Sequence, residues 1–293
     1  MAINSILNIK EKFLKNYKEK TLSRVFKYYI SKFFYKIFLL KYIHKLSSKK
    51  HLLCDIPRSK HEFRIARLDG VAVVYGSAPS ASIPNGYQDS WKIITANSSQ
   101  YLTDKLGLKK PDISIVCTTS FLHGSSHEET VYNEGATKAL YGRSTNHLIM
   151  AEDKICSDFR RKIRNEKIIK SLRRNKNEYN SIEFMPYAFR YKFSADILGH
   201  EYSLSKNVST GFFAALLAYK IGASKVVMSG FSFSNHKHGY PDEYFNQTGG
   251  RGDLGRGEIT GDIIMLDWIK KNKLPFYAAE QKFAEESGLE YWK

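Results

Sequence analysis

The sequence predicts an α/β domain with a mostly parallel sheet, preceded by a basic helical arm. Short continuous runs of apolar and β-branched residues recur after residue 70, and helical patterns separate several of them. Parallel strands that are buried on both faces have such runs, and alternation with helices indicates a covered parallel sheet. The charge distribution separates the arm from the domain.

The net positive charge is concentrated at the N-terminus. The 293 residues carry 46 Lys and Arg and 29 Asp and Glu, a formal charge of +17. Residues 1–50 hold 13 basic and 2 acidic residues, whereas residues 51–293 hold 33 and 27. A domain so nearly balanced is a poor match for a nucleic-acid binder, so nucleic acid is not an expected partner. A hydrophobic content of 42% also excludes disordered and fibrous classes.

Residues 21–45 contain neither Pro nor Gly and predict a helix within an arm that spans residues 1–50. Five lysines interrupt its apolar residues, whereas a transmembrane helix needs about 20 mostly apolar residues. The lysines do not share one face, but long lysine side chains can snorkel while aromatic rings enter the headgroup boundary. We therefore expect the arm to bind an anionic membrane surface; packing on its own domain is the alternative, and nucleic-acid contact the least favoured. The lysines are Lys27, Lys32, Lys36, Lys41 and Lys45.

The predicted elements of the domain, residues 51–293, follow one another in a regular order. The strands are Val71–Tyr75, Lys92–Ala96, Ile113–Cys117, 147–151, 181–185, Lys225–Ser229 and 275–278. The clearest helices are 210–221 and 259–271. A basic run at 158–176 favours a solvated helix, with a surface for an anionic ligand or membrane as the alternative.

Cysteine usage indicates a reducing compartment. Cys54, Cys117 and Cys156 are odd in number and widely spaced, and no Cys-x-x-Cys pair suggests a zinc site. No cleavable signal pattern stands near the start. The expected location is therefore the cytoplasm, at the inner face of the membrane.

Small polar residues follow three successive predicted strands. Gly76, Ser77, Pro79 and Ser80 come after the first strand, Asn97 after the second, and Thr118 and Ser120 after the third. Ligands of open α/β sheets bind beyond the carboxyl ends of strands, where small residues let N–H groups approach a phosphate. The first turn lacks the glycines of a dinucleotide fingerprint and the Lys of a P-loop. Asn97 alone is typical of a turn former, with nucleotide contact as the alternative.

A second group opens the helix at 210–221. Ser209 and Thr210 can cap this helix, which directs free N–H groups at an anion, and Gly211 permits close approach. A strand that ends in Ser229 and Gly230 follows.

These motifs, in this order, resemble the sialyl motif of animal sialyltransferases and the bacterial lipooligosaccharide sialyltransferases. The resemblance covers roughly residues 71–279. It implies a Rossmann-like single domain with a lid, here around 231–257, that transfers a nonulosonic acid from a CMP donor with inversion and without metal.

The resemblance also implies roles for individual residues. Gly76, Ser77, Pro79 and Ser80 would surround the CMP phosphate and ribose, and Asn97 the nucleotide. Thr118 and Ser120 would contact the donor, and Ser209, Thr210 and Gly211 its sugar carboxylate and cytidine. Tyr240, at the position of the second tyrosine of a pair in the bacterial enzymes, would stabilise the leaving phosphate, and Ser234 stands in the place of the first.

The expected catalytic histidine is absent. Where the family has His-x4-Glu, this sequence has Asp253 and Glu258, so a carboxylate base is the first candidate. His236 and His238, in the predicted lid, are the alternatives.

The predicted activity is a glycosyltransferase that moves sialic acid, Kdo or a related acid from CMP to a surface glycan or glycolipid, as in lipopolysaccharide or polysaccharide synthesis. No Asp-x-Asp triplet occurs in the chain, so the metal clamp of nucleotide-diphosphate-sugar transferases is not expected, and no cofactor is. The alternatives are a related transferase with another donor, or a catalytically inactive nucleotide-binding homologue.

Overall fold

Among the residues that the computed structural model describes (67–117, 138–151, 158–185, 208–233 and 256–293), eight strands form one sheet, and all of their pairings are parallel. The strands are β1 (Val71–Tyr75), β2 (Lys92–Ala96), β3 (Ile113–Cys117), β4 (Thr145–Ala151), β5 (Tyr179–Met185), β6 (Lys225–Ser229), β7 (Phe276–Ala278) and β8 (Glu290–Tyr291). The helices are α1 (Gln100–Lys105), α2 (Asp158–Arg174), α3 (Thr210–Lys220), α4 (Arg256–Lys271) and α5 (Gln281–Ser287). The predicted fold class is confirmed; the arm of residues 1–50 lies outside the described part of the chain.

The order of the strands places one topological reversal at the centre of the sheet. The order is β5-β4-β3-β2-β1-β6-β7-β8. From β1 the chain steps outward to β5, and it then returns to place β6 on the other side of β1. The carboxyl ends of β1 and β6 are therefore neighbours at the switch point of the sheet.

Apolar side chains cover both faces of the sheet. One face carries a buried cluster that includes Val73, Tyr75, Ile93 and Val227. Helix α3 lies against β1, β2, β3 and β6, and its residues from Phe212 to Ala218 are all buried. A helix that is apolar on every side belongs in a core, so α3 fixes the position of its own N-terminus against the sheet.

Candidate functional site

The turn after β1 and the end of β6 are joined by two backbone hydrogen bonds. The Gly76 N–H donates to the Ser229 carbonyl at 2.8 Å, and the Ala78 N–H donates to the Gly230 carbonyl at 2.9 Å. A Cβ atom on Gly76 would lie 2.4 Å from the Gly230 carbonyl oxygen, so the position requires glycine. The Gly76 N–H is thus occupied by β6, and this glycine permits close packing of two turns.

The remaining hydroxyls of the turn face outward. Pro79 and Ser80 are exposed and Ser77 is half-buried, whereas Ala78 between them is buried. Within the described part of the chain, neither serine makes a hydrogen bond to another residue. Ser77 and Ser80 therefore present their hydroxyls at the switch point with their bonding capacity unused.

Helix α3 begins at the same edge with a serine cap. The Ser209 Oγ accepts from the Phe212 N–H at 3.4 Å, and its carbonyl accepts from the Phe213 N–H at 2.8 Å. The first four N–H groups of a helix have no partner inside it, so Thr210 and Gly211 keep N–H groups without a partner among the described residues. The helix macrodipole adds a partial positive charge there.

A buried carboxylate holds this helix start in place. The Ser209 N–H donates to the Asp262 Oδ1 at 2.7 Å, and Asp262 lies on α4 with 5% of its surface exposed. This bond uses the amide that precedes the helix, so it leaves the Thr210 and Gly211 amides available. The sequence does not indicate Asp262, because nothing local distinguishes it from the other polar residues of an amphipathic helix.

The ring of Phe231 brings the two predicted donor-binding turns together. A Cβ on Gly211 would lie 2.7 Å from the Phe231 Cε1, and a Cβ on Gly76 would lie 3.3 Å from its Cδ2. Gly76 and Gly211, 135 positions apart in the sequence, thus flank the same side chain. The space beside Gly211 is filled by this ring, which gives the glycine a packing role in addition to the ligand approach expected from the sequence.

Asn97 forms a turn at the carboxyl end of β2. Its φ of 54° is left-handed, a conformation that asparagine tolerates better than most residues. Its backbone N–H donates to the Ile115 carbonyl at 2.7 Å, and its side-chain Oδ1 accepts from the Cys117 N–H at 3.2 Å. Asn97 therefore ties β2 to β3, and its side-chain nitrogen makes no bond to another described residue.

A second carboxylate that the sequence did not reveal lies directly after β7. Glu280 accepts hydrogen bonds from Ser82, from Ser229 and from the Gly230 N–H. Burial raises the pKa of Glu280, and these hydrogen bonds act in the opposite direction. An acidic residue after a strand is the one local signal that could have indicated it.

Several predicted site residues lie outside the described part of the chain. They are Thr118, Ser120, His236, His238, Tyr240 and Asp253. Glu258 lies in the first turn of α4, and its side chain is likewise outside the described part. The predicted lid, 231–257, is described only at its two ends. At the first of these, the Phe233 N–H donates to the Glu286 carboxylate at 2.8 Å.

Neither a metal-binding cluster nor a membrane-spanning helix occurs among the described residues. Within them, no group of three His, Cys, Asp or Glu side chains could hold a metal ion together. None of the described helices is long and apolar enough to cross a membrane.

The fold is that of the bacterial sialyltransferases, which confirms the predicted resemblance at the level of the fold. The sialyltransferase Cst-II from Campylobacter jejuni, in single-residue variants solved with CMP, matches with a TM-score of 0.50 at 13% identity, over 76% of this chain and 86% of that chain. The monofunctional α-2,3-sialyltransferase Cst-I from the same organism gives a TM-score of 0.49 at 16% identity, over 78% and 84%. No protein-family model and no curated protein matches the sequence.

Proposed function

We propose that the protein is an inverting, metal-independent glycosyltransferase that moves an acidic sugar from a CMP donor to a surface glycan or glycolipid. The sugar is sialic acid, Kdo or a related nonulosonate. The main support is the meeting of residues 76–80 and 209–211 around Phe231, at the switch point of a fold shared with sialyltransferases that were solved with CMP.

The unused donors suit a monophosphate attached to an anionic sugar. Thr210 and Gly211 offer two N–H groups at a helix N-terminus, which favours negative charge. Ser77 and Ser80 offer two hydroxyls from the opposite turn. Donors that are fixed before the reaction stabilise charge as it develops on a departing phosphate, and in the proposed reaction they take the place of a metal ion.

In the proposed reaction a base removes the proton of the acceptor hydroxyl while its oxygen attacks the anomeric carbon and the bond to the CMP phosphate breaks. Asp253 is the proposed base, with Glu258 five positions beyond it in the sequence, and His236 and His238 are alternatives. Tyr240 is proposed to stabilise the leaving phosphate, and Asn97, Thr118 and Ser120 to contact the nucleotide.

The proposed location is the inner face of the cytoplasmic membrane. Residues 1–50 hold 13 basic residues against 2 acidic ones, and a basic residue near an anionic leaflet contributes about 1 kcal/mol. Such an arm would keep the enzyme close to a lipid-linked acceptor.

Calorimetric titration with CMP and with UDP tests the proposal. Wild type should bind CMP in preference to UDP. Thr210→Val keeps the backbone N–H but removes the side-chain hydroxyl as a further donor to the anion, so it should weaken CMP binding by about 1–3 kcal/mol. Thr145→Val is the matched control, since this buried threonine donates to the Pro111 carbonyl at the amino end of β4. Equal CMP affinity in the Thr210 variant and the control would contradict the assigned site.

Transfer assays separate the competing functions. CMP binding together with turnover of a CMP-linked acidic sugar supports the proposal. A preference for UDP indicates a related transferase with another donor, and CMP binding without turnover indicates a catalytically inactive homologue.

A further inference from the structure

A buried carboxylate lies behind the turn that carries Ser77 and Ser80. The Glu280 Oε1 accepts from the Ser82 N–H at 3.1 Å, from the Ser82 hydroxyl at 2.8 Å and from the Ser229 hydroxyl at 2.7 Å. The Gly230 N–H lies 3.2 Å from the Oε2. One side chain after β7 thus binds the segment that follows β1 and the end of β6.

These contacts fix the far end of the turn. Its near end is fixed by the backbone bonds from Gly76 and Ala78 to β6. The Ser229 hydroxyl also lies 2.8 Å from the Ser82 carbonyl, and the Ser82 N–H lies 3.0 Å from the Ser229 Oγ. Both ends of the turn are therefore bound to β6. Ser77 and Ser80, whose hydroxyls make no hydrogen bond to a described residue, lie between these two ends.

Glu280 is badly placed to act as a base. Both of its oxygens already accept hydrogen bonds, and two of the donors, the N–H groups of Ser82 and Gly230, belong to the backbone and cannot rotate away. A carboxylate bonded in this way holds structure and does not compete for the proton of an acceptor. Glu280 must therefore act through the residues that it binds.

We infer that Glu280 is a positioning residue that holds Ser77 and Ser80 at the donor phosphate by binding Ser82 and Gly230. The inference rests on the proposed function. Removal of the carboxylate leaves the buried Gly230 N–H and the half-buried Ser82 hydroxyl without their acceptor. The Ser82 N–H then keeps only the Ser229 Oγ, so the far end of the turn is held less firmly. A displacement of about 1 Å in a positioning group can reduce activity about 100-fold.

Five variants of the full chain form the test. Glu280→Ala removes the carboxylate, and Glu280→Gln keeps one acceptor oxygen. Ser82→Ala removes one donor and takes the place of Glu280→Ala if that variant does not fold. Glu285→Gln controls for loss of charge, because Glu285 is exposed on α5, the helix that follows Glu280. Asp112→Asn controls for loss of a carboxylate that accepts a backbone N–H, since its Oδ2 accepts from the Ile93 N–H at the opposite edge of the sheet.

Amide hydrogen exchange without ligand tests the contacts themselves. Exchange of the Gly230 amide should rise at least about tenfold in Glu280→Ala, remain intermediate in Glu280→Gln, and be unchanged in both controls, because a bonded amide exchanges only when its contact opens. Exchange of the Ser82 amide should rise by less, since the Ser229 Oγ remains as its acceptor. Unchanged exchange at Gly230 would overturn the inference whatever the protein binds.

CMP affinity then tests the positioning role. We expect Glu280→Ala to bind CMP about 10–100-fold more weakly, with partial rescue by Glu280→Gln and no change in Asp112→Asn. Faster exchange at Gly230 with wild-type CMP affinity would overturn the positioning role and leave the proposed function standing. Failure of the wild type to bind CMP would overturn both, and the exchange data would still establish the contact.

Discussion

The Ser209 N–H donates to the Asp262 carboxylate at 2.7 Å, so that α4 holds the start of α3 at the switch point of the sheet. The two residues lie 53 positions apart and are both buried. The contact places a charged acceptor beside the helix start while the Thr210 and Gly211 amides remain available. Two residues outside the local motif, Asp262 and Glu280, therefore support the two turns of the candidate site.

The first prediction concerns Asp262. Asp262→Ala leaves the Ser209 N–H buried without its partner, so the free energy of unfolding should fall by about 1–3 kcal/mol. Asp262→Asn keeps an acceptor oxygen, so its free energy of unfolding should fall by less. Asp267→Ala, on the exposed side of the same helix, should change stability by less than about 0.5 kcal/mol. Urea titration measures all three, and equal stabilities of the two alanine variants would refute the assigned contact.

The second prediction concerns Gly211. A Cβ there would lie 2.7 Å from a ring atom of Phe231, and that ring packs on Phe212 and Phe283 at centroid distances of 5.4 and 5.5 Å. Because the ring cannot move freely, Gly211→Ala should cost about 1–3 kcal/mol.

A double-mutant cycle distinguishes this clash from a loss of helix capping. Leucine lacks an atom at the Cε1 position, so Phe231→Leu should reduce the cost of Gly211→Ala. Thermal unfolding of the four proteins gives the coupling energy. Costs that simply add would show that Phe231 is not what excludes the extra methyl group.

Much of the sheet could be predicted because its strands are marked locally. The strands β1, β2, β3 and β6 consist mainly of apolar and β-branched residues, and their bounds agree with the prediction. β4 and β5 begin two residues earlier than predicted, because Thr145 and Tyr179 pair with each other although each precedes a polar residue. The short elements α1, α5 and β8 were missed, since two to seven residues carry too little periodicity.

The residues of the candidate site likewise divide into those that the sequence marks locally and those that it does not. Gly76 and Ser209 could be found because they stand beside a strand or a helix in the sequence. The partners of Glu280, by contrast, are up to 198 positions away. Such a contact follows from the order of the strands, which no local pattern contains.

The third prediction is a pH dependence that arises from Glu280. Burial raises the pKa of Glu280 above its usual value near 4.5. The folded state then holds its proton more tightly than the unfolded state, so this group contributes stability below about pH 4.5 that is lost as the pH rises through the folded pKa. The nearby Tyr75 and Tyr87 hydroxyls stay protonated throughout, because burial raises both of their pKa values.

Glu280→Gln removes this titration. The wild type should therefore gain stability relative to Glu280→Gln as the pH falls from 7 towards 4.5, in urea titrations across that range. Glu285→Gln, which loses an exposed charge, should follow the wild-type curve. A difference that grows with rising pH would mean that the hydrogen bonds of Glu280 outweigh its burial.

The fourth prediction concerns residues 1–50. The protein should bind vesicles that contain phosphatidylserine and not vesicles of phosphatidylcholine alone, because the arm carries a net charge of +11. Salt should weaken the binding, since charges are screened over about 10 Å at 0.1 M. Co-sedimentation measures both effects, and binding should disappear when residues 1–50 are deleted. A deleted protein that unfolds would instead favour packing of the arm on its domain.

The fifth prediction concerns the base of the proposed reaction. Asp253 stands just before α4 in the sequence, where the resembling enzymes have a histidine, and Glu258 lies in the first turn of that helix. A histidine base loses activity as it becomes protonated near pH 6.5, whereas a carboxylate base with an ordinary pKa remains ionised to about pH 5. If Asp253 is the base, kcat/KM should stay nearly constant between pH 7 and about pH 5.5.

Variants identify the residue whose ionisation sets the pH profile of kcat/KM. Asp253→Asn should reduce turnover about 100- to 10,000-fold, the usual contribution of a general base, with CMP affinity retained because the base acts on the acceptor. His236→Ala and His238→Ala are the matched comparisons from the predicted lid. A kcat/KM that falls below pH 6.5, together with lost turnover in one histidine variant alone, would assign the base to the lid. The carboxylate would then stand where the resembling enzymes have a histidine without taking over its chemistry.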